Sequence, residues 1–394
     1  MPADNGRTVY LDHAATTPVD PRVLEAMLPY FTDIFGNPSS VHEAGRDARA
    51  GLDWARGTLA RILGCRPREV VFTGGATEAN NLAIRGTLDR ARRDFPGERH
   101  HVITTAIEHH AVLHAVQALA EFDGVDVTIV PVDASGVVRA EDVEAAIRPE
   151  TRLISVMYAN NEIGTIQPVA EIAGIARERG VVVHCDAVQA AGSLPLDVNE
   201  LGVDLLSISA HKFYGPKGVG LLYVREGVRL QPLVHGGGQE RALRPGTENV
   251  AGVVGMATAL LLAVEEREER NAHDRELRDR LMDQLLERIP DSYVNGDLER
   301  RLPNNLNIGF DGVDGESVLL DLDLNGIAAS SGSACASATN EPSHVLLAIG
   351  LDEAAADATL RLTVGRSNTR EQIDRAIEVI VNAVERVRGV AAGG

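Results

Sequence analysis

The sequence predicts an α/β fold, a large domain built on a mainly parallel sheet and followed by a smaller α+β domain. Two patterns carry this expectation. Short β-rich runs alternate with helical stretches through the first two thirds of the 394 residues, the rhythm of repeated βαβ units. Most of those runs are apolar throughout instead of alternating, which is the pattern of strands buried on both faces of a parallel sheet.

In chain order, the strand Val70-Val71-Phe72-Thr73 leads to a helix from about Thr77, and Val102-Ile103-Thr104 to a helix from about His109. Val127-Thr128-Ile129-Val130 and Leu153-Ile154-Ser155-Val156 follow, then a helix from about Pro168 to Arg179. Val181-Val182-Val183, Leu205-Leu206-Ser207-Ile208 and Gly220-Leu221-Leu222-Tyr223-Val224 complete the large domain. From Glu248 one long helical pattern runs through the charge-rich stretch Glu265 to Arg288, ends near Pro290 and bridges to the second domain. There, strands near Leu306-Asn307-Ile308 and Leu360-Arg361-Leu362 accompany helices near Glu316 to Leu324, Pro342 to Ile349 and Thr369 to Val387.

Composition narrows the function. Hydrophobic residues at 44% and charged residues at 24% are those of a globular protein with a large core, not of a disordered or low-complexity chain. A formal charge of -19 repels phosphate backbones and anionic lipid, so neither a nucleic acid nor a membrane surface is an expected partner. The three cysteines, Cys65, Cys185 and Cys335, form no C-x-x-C pair, which argues against a disulfide framework or a cysteine-rich zinc site and for a reducing compartment. The start shows no apolar signal region, and the longest apolar stretch, Val250 to Val264, is shorter than the roughly 18 to 20 residues that span a bilayer. A cytoplasmic protein is expected.

Lysine occurs only at Lys212 and Lys217, while arginine fills the other basic positions. Lysine can form an imine and shift its pKa on burial, which arginine cannot; two lysines surviving in a loop by chance is the plainer reading of this bias alone. Position adds to it. In a parallel α/β sheet the ligand lies beyond the carboxyl ends of the strands, and the informative residues fall there. Gly74-Gly75-Ala76-Thr77-Glu78 opens a helix with small residues and a hydroxyl, an anion cradle or an ordinary helix cap. Glu108-His109-His110 precedes His114; the i,i+4 pair lacks a third ligand and the glutamate of a zinc motif, so no metal is expected. His109 faces the crevice, or else caps its helix or joins the core.

Asn160-Asn161-Glu162 and His184-Cys185-Asp186-Ala187-Val188-Gln189 follow the next two strands. A carboxylate at the end of an apolar strand needs a partner, so Asp186 either caps the next helix or meets a cation such as a protonated pyridine nitrogen. Cys185, within the apolar run, reads as a buried thiol. Ser207-Ile208-Ser209-Ala210-His211-Lys212 then brings a lysine and hydroxyls to the crevice, while Lys217 in Gly215-Pro216-Lys217-Gly218 reads as a turn residue. An imine-forming lysine, a carboxylate for a pyridinium and a phosphate cradle are the requirements of pyridoxal phosphate. Further on, Ser330 to Ala338 is a run of small, mostly polar residues with Cys335 in its middle; an exposed loop is expected, with Cys335 a reactive thiol or a tolerated surface one.

With Leu11-Asp12-His13-Ala14-Ala15-Thr16-Thr17-Pro18, Phe35-Gly36-Asn37-Pro38-Ser39-Ser40, Arg244-Pro245-Gly246-Thr247 and Arg361-Leu362-Thr363-Val364-Gly365-Arg366, these motifs resemble the NifS/IscS-type cysteine desulfurases over nearly the whole chain. Those are aminotransferase-class-V, fold-type-I pyridoxal-phosphate enzymes. The resemblance implies a seven-stranded sheet, with residues 1–15 belonging to the small domain, 16–262 forming the large cofactor-binding domain and 263–394 the small domain that carries the cysteine loop.

It also implies roles. Lys212 corresponds to the cofactor's imine lysine, Asp186 to the partner of the pyridine nitrogen, Gln189 to the donor to the ring oxygen and His109 to the stacked imidazole. Ala76, Thr77, Ser209 and His211 match phosphate contacts. Thr247 matches one given by the other subunit, which implies a homodimer. Asn161 and Arg361 match the residues that hold the substrate carboxylate, and Cys335 the nucleophile that becomes a persulfide. L-Cysteine would yield alanine, with the sulfur passing to an acceptor protein such as an iron–sulfur scaffold or a thiolating enzyme. Other class-V activities, such as a selenocysteine lyase, are the nearest alternatives, and a non-catalytic assembly scaffold is the alternative from another class. The tail after Arg386-Val387-Arg388-Gly389-Val390 is shorter than in the housekeeping relatives that dock a scaffold through it.

Overall fold

The structure, a computed structural model, describes residues 8–331 and 342–393. Cys335 lies outside the described residues. After a short N-terminal strand β1 (Val9–Tyr10), seven strands build the main sheet: β2 (Val70–Thr73), β3 (His101–Thr105), β4 (Asp126–Val130), β5 (Thr151–Met157), β6 (Val182–Asp186), β7 (Leu205–Ser209) and β8 (Gly220–Val224). Their order is β2-β8-β7-β6-β5-β3-β4. The β3–β4, β3–β5, β5–β6 and β6–β7 pairs are parallel. β8 runs antiparallel to both β2 and β7.

Two-sided burial explains the apolar strands. Val70, Phe72, Leu206 and Ile208 join a cluster with Leu52, Leu59, Met256 and Leu260. Their strand neighbours Val71, Leu205 and Leu222 join a different cluster with Leu82, Leu88, Val112 and Val116. Successive side chains in a strand point to opposite faces, so helices must cover both. Each buried Val or Leu contributes about 1.5–3 kcal/mol. β4 departs from the expected pattern: it lies at the sheet edge and Ile129 is exposed.

The helix Glu43–Ile62, not singled out in the sequence reading, packs against the helix Val250–Glu265. Its buried Ala48, Leu52, Ala55 and Leu59 keep a helical spacing. The single long helix expected from Glu248 to Pro290 is instead two helices, Val250–Glu265 and Arg267–Arg288. The break has a packing reason. The first helix is apolar around most of its girth and buries Met256, Leu260 and Ala263 under the main sheet. The second presents Leu277, Leu281 and Leu285 to another core, and Glu266 at the junction accepts from Arg22 and Arg270.

That second core holds the small sheet, in which β9 (Ser292–Val294), β10 (Asn305–Phe310) and β12 (Thr359–Thr363) pair antiparallel in the order β12-β10-β9. β1 pairs in parallel with β11 (Ile327–Ala328), and Val9 and Leu11 bury beside Leu306, Ile308, Leu360 and Leu362. The C-terminal helix Arg370–Gly393 closes this core with Ile373, Ile377 and Ile380.

Candidate active site

An open cleft of about 980 Å³ lies beyond the carboxyl ends of the parallel strands, with Met157, Asp186 and Ser209 from three strand ends in its wall. Ala76, Thr77, His109, Asn161, Asp186 and Gln189 all line it, as do Ser209, His211, Lys212 and Arg361. Lys217, read as a turn residue, also reaches the cleft wall. Thr247 is exposed and does not line the cleft of its own chain.

Each side chain is set by its local backbone. The helix Ala76–Asp94 starts at Gly75 with no side-chain cap, so its first N–H groups remain available to an anion. The turn before it is tied back by Glu78, whose Oε2 accepts from Gly74 N at 2.7 Å while Oε1 takes Arg244 Nε at 3.0 Å. Gly220 lets this turn approach the sheet, because a Cβ there would lie 2.6 Å from the carbonyl carbon of Gly75.

Asp186 ends β6 almost fully buried. Its Oδ1 accepts from Val188 N at 3.0 Å and its Oδ2 from Asn80 Nδ2 at 2.6 Å. Asp186 therefore ties down the turn that follows it, not a helix, and the donor to its other oxygen is a neutral amide instead of the cation expected as the alternative. Lys212 follows β7 in the short turn Ala210–Lys212, and its Nζ donates to the carbonyls of Ala14 and Ala15 at 2.6 and 2.8 Å. Gln189 Nε2 donates to the Ala14 carbonyl at 2.9 Å, so one N-terminal segment orients both residues.

His109 caps the helix His110–Asp123. Its Nδ1 accepts from Ala111 N at 3.0 Å, which leaves the proton of the neutral ring on Nε2. Burial lowers its pKa, assisted by Lys212 and the neighbouring histidines and opposed by Asp186. His211, with Nδ1 3.1 Å from Thr16 Oγ1, is held neutral: burial, then Lys212 and Lys217, bring it to about 4.

Arg361 links the small sheet to the turn at Asn161. Arg361 lies in β12 and is 2% exposed. Its Nη1 donates to the Asn161 carbonyl at 3.3 Å and its Nη2 to Asp12 Oδ1 at 2.8 Å. The Asn161 turn is shaped by Asn160, whose Oδ1 accepts from Glu162 N and Ile163 N at 2.8 and 3.0 Å.

The sequence reading assigned no role to Asn80, Asp12, Glu108 or Glu162. Glu108 is fully buried, and burial raises its carboxyl to about 8. Its Oε1 accepts from Thr105 Oγ1 at 2.7 Å and Met157 N at 2.9 Å. Glu162 is raised by burial to about 7 and accepts from Ser343 Oγ at 2.5 Å. A polar residue inside an otherwise apolar strand-to-helix junction was the available signal, but it does not reveal the partner. His110 and His114 stack at 4.7 Å, and His344 approaches His110 at 4.7 Å. Among the described residues no group of three His, Cys, Asp or Glu side chains could hold a metal ion. Cys185 is buried and its thiol pKa is raised by that burial, as sequence suggested for an unreactive thiol.

The residues present fit pyridoxal phosphate. A buried carboxylate held by neutral donors suits a pyridinium, an uncapped helix N-terminus with Thr77 and Ser209 suits a phosphate, and Lys212, which follows a parallel strand, lines the same cleft.

The chain is 49% identical over 384 residues to the cysteine desulfurase IscS of Clostridium botulinum, covering 97% of this chain and 96% of that protein. It is 50% identical over 385 residues to the IscS of Methanosarcina thermophila, covering 98% and 94%. A solved NifS-like protein superposes with a TM-score of 0.89 at 40% identity, over 96% of this chain and 100% of that one. SspA in complex with cysteine superposes with a TM-score of 0.81 at 40% identity, over 92% and 100%. The aminotransferase class-V family matches residues 9–376, and the chain belongs to that family.

Proposed function

We propose that this chain is a pyridoxal-phosphate-dependent cysteine desulfurase that converts L-cysteine to L-alanine and places the sulfur on Cys335. The observation that carries the reading is the placement of Lys212, buried Asp186 and the Arg361–Asn161 clamp around one cleft. Two close relatives bear the name cysteine desulfurase.

Ala76, Thr77, Ser209 and His211 would hold the phosphate, Gln189 the ring oxygen, Asp186 the ring nitrogen, and His109 the ring face. When bound, pyridoxal phosphate supplies a carbonyl that takes up the substrate amine and a ring that accepts the electron pair of the broken Cα–H bond. The remaining work belongs to the chain. Arg361 and Asn161 fix the substrate carboxylate, for which a guanidinium fork is suited. Lys212, oriented by the Ala14 and Ala15 carbonyls, takes the α-proton on Nζ. Asp186, fixed by Asn80 and Val188, keeps a proton on the ring nitrogen. His109, with its proton on Nε2, is placed to exchange that proton at the substrate. The Cys335 thiolate attacks the substrate sulfur: an S–S bond forms, the Cβ–S bond breaks, and Cβ gains a proton. The sum is one L-cysteine and one enzyme thiol giving one L-alanine and one enzyme persulfide.

The reading extends to a homodimer in which Thr247 serves the partner's cleft. Its exposure supports this, as do the exposed Leu28, Phe31, Phe35 and Val41. It also places the domain limits at residues 1–15, 16–262 and 263–394, the cores described above being its support. The persulfide then passes to an acceptor protein in the cytoplasm. No helix among the described residues is long and apolar enough to cross a membrane.

The test is simultaneous measurement of alanine and of sulfide released by a thiol reductant, using purified cofactor-loaded protein and L-cysteine. Equal yields over many turnovers are expected, and Cys335→Ser should form neither product while retaining the cofactor absorbance. Wild-type turnover by Cys335→Ser overturns the nucleophile, and absence of both products from the wild type overturns the substrate.

A further inference from the structure

The clamp already holds an anion. Arg361 is 2% exposed and donates from Nη2 to Asp12 Oδ1 at 2.8 Å. Nη1 makes a longer contact, 3.3 Å, to the Asn161 carbonyl, and the buried Nε has no partner among the described residues. Asp12 is fixed in turn. Its backbone bridges Thr363 in β12, and its carbonyl accepts from Tyr10 Oη at 3.0 Å. Its side chain is only 18% exposed, so the pair is shielded from the solvent that screens surface ion pairs.

A buried guanidinium without a counter-charge is costly, and Asp12 supplies that charge when the cleft holds no substrate. A carboxylate arriving at Arg361 therefore meets a cation already neutralised, and it brings a second negative charge next to the first. Like charges at such separations oppose one another strongly in a shielded site.

We propose that Asp12 is a resident competitor for Arg361, a positioning residue that weakens carboxylate binding and so lets one cation both capture the substrate and release the amino-acid product. This rests on the reading of Arg361 as the carboxylate clamp. Asp12 does not line the cleft; it acts through the guanidinium it accepts from. Its removal strengthens ligands that carry a carboxylate and leaves ligands without one unchanged, a discrimination that a purely structural role does not produce.

The experiment uses cofactor-loaded protein titrated with L-alanine and, separately, with L-alaninamide, each followed by the change in cofactor absorbance. Asp12→Asn keeps an oxygen acceptor for Nη2 and removes the charge. We expect about tenfold tighter L-alanine binding, equivalent to about 1.4 kcal/mol, with L-alaninamide affinity unchanged. Asp12→Ser serves the same purpose should the asparagine variant lose its fold or its cofactor. Unchanged or weaker L-alanine binding in a folded variant overturns the competitor role, as does equal tightening of the acid and the amide. Arg361→Ala is measured in parallel. If it retains the wild-type preference for acid over amide, the clamp reading itself fails, independently of Asp12.

Discussion

Glu108→Gln should make the protein's stability less dependent on pH. The Glu108 carboxyl is fully buried and raised by that burial from 4.5 to about 8. Between those values the folded state keeps the proton while the unfolded state releases it, so folding stability falls as pH rises. The contribution is fully present below pH 4.5, declines by about 1.4 kcal/mol per pH unit, and is exhausted near pH 8. Over that span the total is about 4–5 kcal/mol, an upper figure because water penetration and relaxation soften burial. Gln keeps the shape, and its oxygen can still accept from Thr105 and Met157, but it has no proton to lose. The assay is urea unfolding of the wild type and Glu108→Gln at pH 5, 6, 7 and 8, at equal cofactor loading. Taking the difference between the variants removes the other titrating groups, including Glu162, raised to about 7, and His184, lowered to about 3. The variant should gain on the wild type by about 1 kcal/mol for each pH unit. A difference that stays constant from pH 5 to 8 refutes the claim that Glu108 is protonated in the folded protein.

Three further outcomes follow from contacts. Gly220→Ala would place a Cβ 2.6 Å from the Gly75 carbonyl carbon and push on the proposed phosphate cradle; cofactor retained after dialysis, read by absorbance, should fall, whereas Gly174→Ala, with nothing within 4 Å of its added Cβ, should retain it. Arg361→Ala removes a charge-assisted contact of about 1.5–3 kcal/mol, so kcat/KM for L-cysteine should drop by about 10- to 100-fold, and an unchanged value would remove Arg361 from the substrate site. Ser343→Ala deletes the cap to Leu346 N and the donor to buried Glu162; a loss of about 2 kcal/mol in unfolding free energy is expected, with Ser343→Thr recovering most of it.

The strand positions, and with them the places where chemistry would gather, were legible because a strand buried on both faces must be apolar in sequence. Val70–Thr73 and Gly220–Val224 coincide with the expected runs for that reason. The direction of β8 was not legible, since a strand buried on both faces has the same composition whether it runs parallel or antiparallel. Hydrogen-bonding partners across the sheet decide it. The break at Glu266 was hidden likewise: both sides are helical by pattern, and only the existence of two separate cores requires the second helix to turn. β1 and β11, two residues each, are too short to leave a periodic signal.

In the site, Lys212, Asp186 and His109 could be singled out by residue type because each is chemically conspicuous after an apolar strand. Their partners could not. Asn80 meets Asp186 across 106 residues and Asp12 meets Arg361 across 349. Nothing local in either segment encodes such a pairing. By itself the sequence determined the strands of the main sheet, the reactive residue types and their placement at strand ends, because these follow from hydrophobicity and covalent order. The tertiary structure alone decided which charge faces which, how deeply Glu108 is buried and where Arg361 finds its counter-ion, because those depend on distances that only packing sets.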